Sequence, residues 1–432
     1  MQICNNIGTN EKGNLTFAGF DTTELAKKYG TPLYLMDEDK IREKMRAYKS
    51  AMKKHFGEGA MPIYASKAAS FKQMYRIAKS EGIGVDVVSG GEIYTALAAE
   101  YDISGAFFHG NNKTPEEIAF AIENGIGYFV ADSLTELENI NAEAARQGIR
   151  QKVLLRITPG IDTHTNKKIA TGNVDSKFGV AIATGQAYEF VGAALGYKNI
   201  DLYGYHCHVG SQVFDAETFI DAVDIMMDFS AEVKRRYGYE GEILNLGGGF
   251  GVRYVASQPD LDIENSIREV GEVLTQKCKD LGMKKPRILM EPGRSIVADA
   301  GMTLYTVGTV KQITNFKNYV AIDGGMADNP RFALYDAEYT VVTANKAALP
   351  KHYRCTLVGK CCESGDIIQE DIHIAKPEKG DIIAVLTTGA YNYSMASNYN
   401  RIAKPPVVML SGGKDYVAVR RETPEDIIRN DV

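Results

Sequence analysis

No CxxC spacing, no HExxH pair, no concentrated basic face and no apolar run of membrane-spanning length occurs in the 432 residues. Lacking a basic cluster, and with a net charge of −6, the chain offers no surface suited to nucleic-acid phosphates. Without an apolar run of about 20 residues it has no candidate membrane helix. The opening "MQICNNIGTNEKG" lacks the charged-then-apolar pattern of a secretion signal, so the expected location is the cytoplasm. Cys4, Cys207, Cys278, Cys355, Cys361 and Cys362 do not make a disulfide framework in a chain this long and are expected as free thiols. Hydrophobic residues at 44% and charged residues at 24% are the ordinary globular balance, and the length calls for two domains.

What is present is a recurrence. Short apolar runs appear at "PIYA" (62–65), "GVDVV" (84–88), "AFFH" (106–109), "YFVA" (128–131), "VLLRI" (153–157), "LYGYHCHV" (202–209), "ILNL" (243–246) and "RILME" (287–291). Amphipathic stretches such as "TPEEIAFAIENG" and "SLTELENINAEAARQG" lie between most of them, several opening on Ser or Thr and closing on Gly. Eight strands alternating with helices predict an α/β fold, a TIM-type (β/α)8 barrel, with a doubly wound open sheet as the runner-up. After about residue 298 the pattern becomes β-rich, as in "TLYTVGTVKQI" and "VVMLSGGKDYVAV". The expected division is residues 32–297 as the barrel and 298–432 as an all-β domain, with 1–31 joining the latter.

Barrel chemistry sits at the C-terminal ends of the strands. Those ends carry Lys67, Asp86, His109, Arg156, His206, His208, the "GGGFG" run (247–251) and "EPGR" (291–294). The glycine run is either a flexible turn or a backbone cradle for an anion, and its place after strand seven favours a phosphate. Lys67, among small residues in "YASKAAS", is either a solvated lysine or a Schiff-base nucleophile. A phosphate cradle with such a lysine suggests pyridoxal phosphate. The "HCHVGSQ" stretch leaves two roles open. His206 and His208, on one strand face, would share a metal in a barrel hydrolase, or one imidazole would stack on a cofactor ring. No metal is expected, because the further ligands such a site needs are not evident. "GKCCESGD" (359–366) places Cys361 and Cys362 beside Glu363, and adjacent thiols do not readily bridge.

Taken with "ITPGIDTHT…IATGNVDSKFG", "LNLGGGFG", "EPGRSIVADAG", "DNPRFALY", "CCESGDII" and "GAYNYSMASNYN", the chain resembles the fold-type III pyridoxal-phosphate decarboxylases, and within them the branch acting on diaminopimelate. The resemblance covers almost the whole chain and implies an alanine racemase-like barrel with a decarboxylase β-domain. It implies decarboxylation of meso-2,6-diaminopimelate to L-lysine and CO2 through a Schiff base on Lys67. A relative acting on carboxynorspermidine, ornithine or arginine is the alternative. By position, His208 would stack on the cofactor ring and Glu291 would pair with its pyridine nitrogen. Ser211, Gly248, Gly249, the 291–294 backbone (Gly293 and Arg294 included) and Tyr391 would hold the phosphate region. Arg294, Arg331, Tyr335 and Tyr391 would contact substrate, and Glu363 would meet its distal ammonium group. Cys362 would donate the proton across a homodimer whose active sites are shared, leaving Cys361 as packing. Two departures from the family pattern stand out. Ala69 and Ser70 follow the lysine motif where Asn is usual, and "RIAKPP" after "SNYN" also differs.

Overall fold

The computed structural model describes residues 3–161 and 176–432, so the "THT…IATGNVD" stretch of the resemblance lies outside the described residues. The chain divides into two compact units, Lys44–Gly251 with Leu261–Gly293, and Met1–Glu43 with Val252–Asp260 and Arg294–Val432.

The first unit is a barrel. Strands Met61–Ala65, Gly84–Val87, Phe107–Phe108, Tyr128–Ala131, Gln151–Thr158, Ile200–His206, Ile243–Asn245 and Arg287–Met290 pair in chain order, all parallel. The ring closes where Leu289 and Met290 pair with Met61 and Pro62. Ile63, Phe107, Val130, Leu154, Ile243 and Leu289 form a buried cluster contributed by six of the eight strands, which is the packed interior expected of such a barrel. The helices between strands start where the sequence signals them. Thr114 and Glu117 form a reciprocal capping box with Pro115 at the first turn, and the Ser133 side chain accepts from Glu136 N. Both devices satisfy amides that a helix start leaves without partners.

In the second unit the 13-residue strand Gly301–Ile313 is the spine. Its first half pairs with Leu33–Asp37 and Ile382–Leu386, and its second half with Lys317–Ile322, with a shift in register at Val307/Thr309. That bulge lets one strand serve two sheet faces. Alternating residues Leu33/Leu35, Met302/Leu304, Ala384/Leu386 and Val408/Leu410 point into one core with Leu15, Phe17 and Leu25, the period of two that pleated strands impose.

The expected barrel start at residue 32 needs correcting. Leu33–Asp37 pairs antiparallel with Gly301–Ile313 and parallel with Val407–Ser411, so residues up to Glu43 belong to the sheet unit. The end is corrected as well, because Arg294 already lies in the sheet unit and Val252–Asp260 joins it too. An apolar run such as "LYLMD" carries no local sign of which distant strands will take its hydrogen bonds. Ile367–Ile374, pairing with Tyr353–Val358, is a strand that the texture of the sequence does not announce. Among the described residues, no helix is long and apolar enough to cross a membrane.

Candidate active site

Lys67 sits on a single 3-10 turn, Ser66–Ala68, directly after the first barrel strand. It is exposed while Ser66, Ala68 and Ala69 around it are buried. The turn is braced from three sides. Ser66 N donates to Asp86 Oδ1 at 3.0 Å, and Ser66 Oγ donates to Glu92 Oε2 at 2.9 Å. Ala65 N donates to Pro292 O at 3.2 Å. Gly293 packs so closely that a Cβ there would lie 2.7 Å from Ala65 Cβ. A lysine carried on so fixed a turn keeps its amine in one region, which suits a nucleophile.

Glu291, at the end of the last barrel strand, is the electrostatic centre of this unit. It is 7% exposed. Asn245 Nδ2 donates to Oε1 at 2.7 Å, His206 Nε2 lies 3.2 Å from Oε2, and His109 Nε2 lies 2.8 Å from Oε1. The His109 nitrogen is off the hydrogen-bonding line, so that contact is charge–dipole in kind. Burial alone would push the Glu291 carboxyl up, but His109 and His206 outweigh it and hold it well below the usual range. The imidazoles stay neutral because burial lowers His109 and carries His206 down to about 4. Asp86, equally buried, goes the other way. Burial first, and then Glu291, push it well above its ordinary value. The two buried carboxyls are thus pushed in opposite directions, a division typical of functional sites.

The glycine run fits closely against this centre. Gly247 N donates to Asn245 Oδ1 at 2.9 Å, and Glu291 N donates to Gly247 O at 2.8 Å. A Cβ on Gly248 would lie 2.1 Å from Glu291 O, and Gly249 has φ +123°, a conformation that favours glycine. Gly248 N donates to His208 Nδ1 at 3.2 Å. Burial drives His208 well below its ordinary value, with Lys67 adding to the effect, so its ring is neutral.

The paired-histidine expectation is altered in one respect. The strand ends at His206, and the two imidazoles take different partners. His206 joins His109 and Glu291, whose ligand atoms all lie within 4.8 Å of one another, while His208 meets Gly248. The two imidazole nitrogens approach the Glu291 carboxylate, one on each oxygen. Arg156 lies over the Phe178 ring at 4.4 Å and 3.8 Å from Asp132. Ser211 is half-buried in the turn beyond His206.

The sheet unit gathers a second group. Arg294 Nη1 donates to Tyr254 OH at 2.8 Å. Arg331 Nη1 donates to Tyr339 OH at 2.9 Å and, more weakly, to Tyr254 OH at 3.4 Å. The Tyr391 ring centroid lies 4.9 Å from the Arg294 guanidinium and 5.7 Å from that of Arg331. Tyr335 ends the short helix Arg331–Tyr335 and is half-buried. Cys362 and Glu363 are exposed and Cys361 is buried. Their loop is held by the carboxylate of Asp366, which accepts from Met326 N at 2.6 Å and Cys361 N at 2.7 Å, while Cys362 N donates to Asn400 Oδ1 at 2.6 Å. Asn245, Tyr254, Tyr339 and Asp366 are missing from the sequence-based expectation. Asn245 left a signal as a polar residue inside an apolar strand, and Asp366 as the last residue of "GKCCESGD".

The class follows from the barrel and its match. Residues 38–298 match the family described as "Pyridoxal-dependent decarboxylase, pyridoxal binding domain". Over 96% of its length the chain is 45% identical to the diaminopimelate decarboxylase of Bacillus methanolicus, covering 95% of that protein. It is 43% identical to that of Bacillus subtilis over 98% of its length, covering 96% of the relative. Its fold matches the crystal structure of diaminopimelate decarboxylase from M. jannaschii in complex with L-lysine, with TM-score 0.93 and 35% identity, covering 100% of this chain and 99% of that one. The chain belongs to the diaminopimelate decarboxylase family. Its cofactor is pyridoxal phosphate, and the residues present fit that group: an exposed lysine on a rigid turn, a glycine run with no room for side chains, and a buried anion.

Proposed function

We propose that the protein converts meso-2,6-diaminopimelate to L-lysine and CO2, the last step of lysine biosynthesis, in the cytoplasm and as a homodimer. The observation that carries this is the buried, ionised Glu291 set among neutral donors in a chain so similar to diaminopimelate decarboxylases. Pyridoxal phosphate, when bound, supplies a conjugated ring that accepts the electron pair left by the departing carboxylate. Lys67 holds it through its amine. Glu291, as a fixed anion, would pair with the pyridine nitrogen and favour its protonated form. His208 offers a flat neutral ring, and Gly248, Gly249, Gly293, Ser211 and Tyr391 serve the phosphate region. Arg294 and Arg331, with Tyr335, receive a substrate carboxylate through their planar guanidinium forks. Exposed Cys362 donates the final proton and Glu363 takes the distal ammonium group, each serving the site of the partner subunit.

Two measurements test the reading. Borohydride reduction of the holoprotein followed by peptide mapping is expected to place the cofactor mass on Lys67, and label on any other residue overturns the assignment. Across a panel of meso-diaminopimelate, ornithine, arginine and carboxynorspermidine, CO2 release is expected from the first. Preferential turnover of another member would move the protein to a different substrate.

A further inference from the structure

The residues thought to receive the substrate carboxylate are organised by a side chain outside that set. Arg331 is 7% exposed, and its partners are phenols, Tyr339 OH at 2.9 Å and Tyr254 OH at 3.4 Å. It makes no ion pair with a carboxylate among the described residues. A buried guanidinium without a counter-charge is costly, so the arrangement is complete only when an anion arrives. Tyr254 is itself 4% exposed, and its oxygen also accepts from Arg294 Nη1 at 2.8 Å. Its backbone is pinned at both groups. Tyr254 N donates to Gln258 Oε1 at 2.7 Å, and its carbonyl accepts from Thr340 Oγ1 at 2.8 Å. A carboxylate in this place would neutralise Arg331, whereas a phenol spaces the two guanidiniums and leaves the Arg331 charge for a ligand.

We propose that Tyr254 is a positioning residue that sets the spacing of Arg294 and Arg331, and through it the preference for a substrate with a second carboxylate. Burial would raise its phenol, but the two arginines outweigh that and bring it below the ordinary tyrosine value, in keeping with an oxygen that serves as an acceptor for both. The proposal deepens the reading above and rests on it.

The test compares the holoenzyme with its Tyr254→Phe variant, which removes the oxygen and keeps the ring. Titration calorimetry is run with L-lysine and with cadaverine, its counterpart lacking the carboxylate. For the variant, lysine binding is expected to weaken roughly 10-fold, the scale of a lost hydrogen bond to a charged group, with cadaverine unchanged. KM for meso-diaminopimelate should rise by a similar factor while kcat stays within about 2-fold. In an Arg331→Gln background, Tyr254→Phe should add much less, because the two residues act together. Equal losses for lysine and cadaverine, no loss for either, or a full Tyr254→Phe effect in the Arg331→Gln background would each overturn the proposal. Thermal midpoint and visible cofactor absorbance, matched to wild type, separate these outcomes from misfolding. Failure of the wild type to release CO2 from meso-diaminopimelate would instead overturn the functional reading.

Discussion

In the barrel unit a buried carboxylate, Glu291, is met by Asn245, His206 and His109, all neutral. In the sheet unit a buried guanidinium, Arg331, is met by the phenols of Tyr254 and Tyr339. Both units therefore bury a charge that they surround with dipoles. On the proposed function, each charge would meet a partner of opposite sign that the ligand brings, a protonated ring in one case and a carboxylate in the other. An ion pair would have satisfied either charge within the protein and removed its use. Lys113 shows the contrast. It is fully engaged by Glu136 Oε1 at 2.6 Å and the carbonyls of Gly110 and Val130 at 2.9 Å, so its charge is spent on holding the barrel.

The comparison can be broken most sharply at Glu291. Glu291→Gln keeps the shape and removes the charge, and kcat is expected to fall by roughly 10³, the upper range for loss of a preorganised electrostatic contact. Steady-state kinetics on protein that keeps its bound cofactor checks this, and a loss under 10-fold would deny Glu291 its role. The sheet unit's contribution is next. Cys362→Ala should lower kcat by roughly 10², the low end for general acid catalysis, while Cys361→Ala changes it little. If the proton crosses to a partner subunit, mixing Cys362→Ala with Lys67→Ala protein should recover up to about a quarter of wild-type activity, since half of randomly paired dimers hold one intact site. No recovery after verified subunit exchange would break the shared-site assignment.

The smallest effect is on stability, and its sign differs between two buried groups, His206 in the barrel and Asp328 in the sheet unit. His206, 1% exposed and facing Glu291, His109 and Arg156, has its value lowered from 6.5 to about 4 by burial. Between those values the unfolded chain takes a proton that folded His206 refuses, so the His206 contribution to barrel stability falls as pH drops from 6.5 to 4, by up to about 3 kcal/mol. Asp328 in the sheet unit is raised by burial from 3.8 to about 7, with Tyr305 OH donating to it at 2.5 Å. Here the folded state keeps a proton that the unfolded chain releases. Sheet stability therefore falls as pH rises from about 4 to 7, by a comparable amount. Hydrogen exchange at pH 5 and 7, corrected for intrinsic rates, should show the strand Ile200–His206 loosening at the lower pH and the strand Gly301–Ile313 tightening. Asp328→Asn should abolish the second response, and parallel changes in both units would refute the contrast.

The barrel was legible because its signals are local. "YFVA" is a strand over those same four residues, Tyr128–Ala131, and the other seven runs each contain or overlap an observed strand. The sheet unit was legible in texture but less so in extent, since Leu33–Asp37 finds its partners only in the last third of the chain. Residues of the site whose chemistry is intrinsic, such as Lys67 and Glu291, could be picked out from motifs. Tyr254 and Tyr339 could not, because a tyrosine acquires such a role only through what folds against it.

The pairing of Leu35 with both Met302 and Val408 also bears on synthesis. The growing chain makes this strand early and must wait for nearly everything else before either edge can be occupied. The barrel, whose neighbours follow one another in sequence, is free to form while the ribosome is still at work. Until release, the early strand has two unsatisfied edges of the kind that invite association with other chains. Loss of residues after 405 would prolong that exposure indefinitely, making a short C-terminal truncation an aggregation defect before it is a catalytic one.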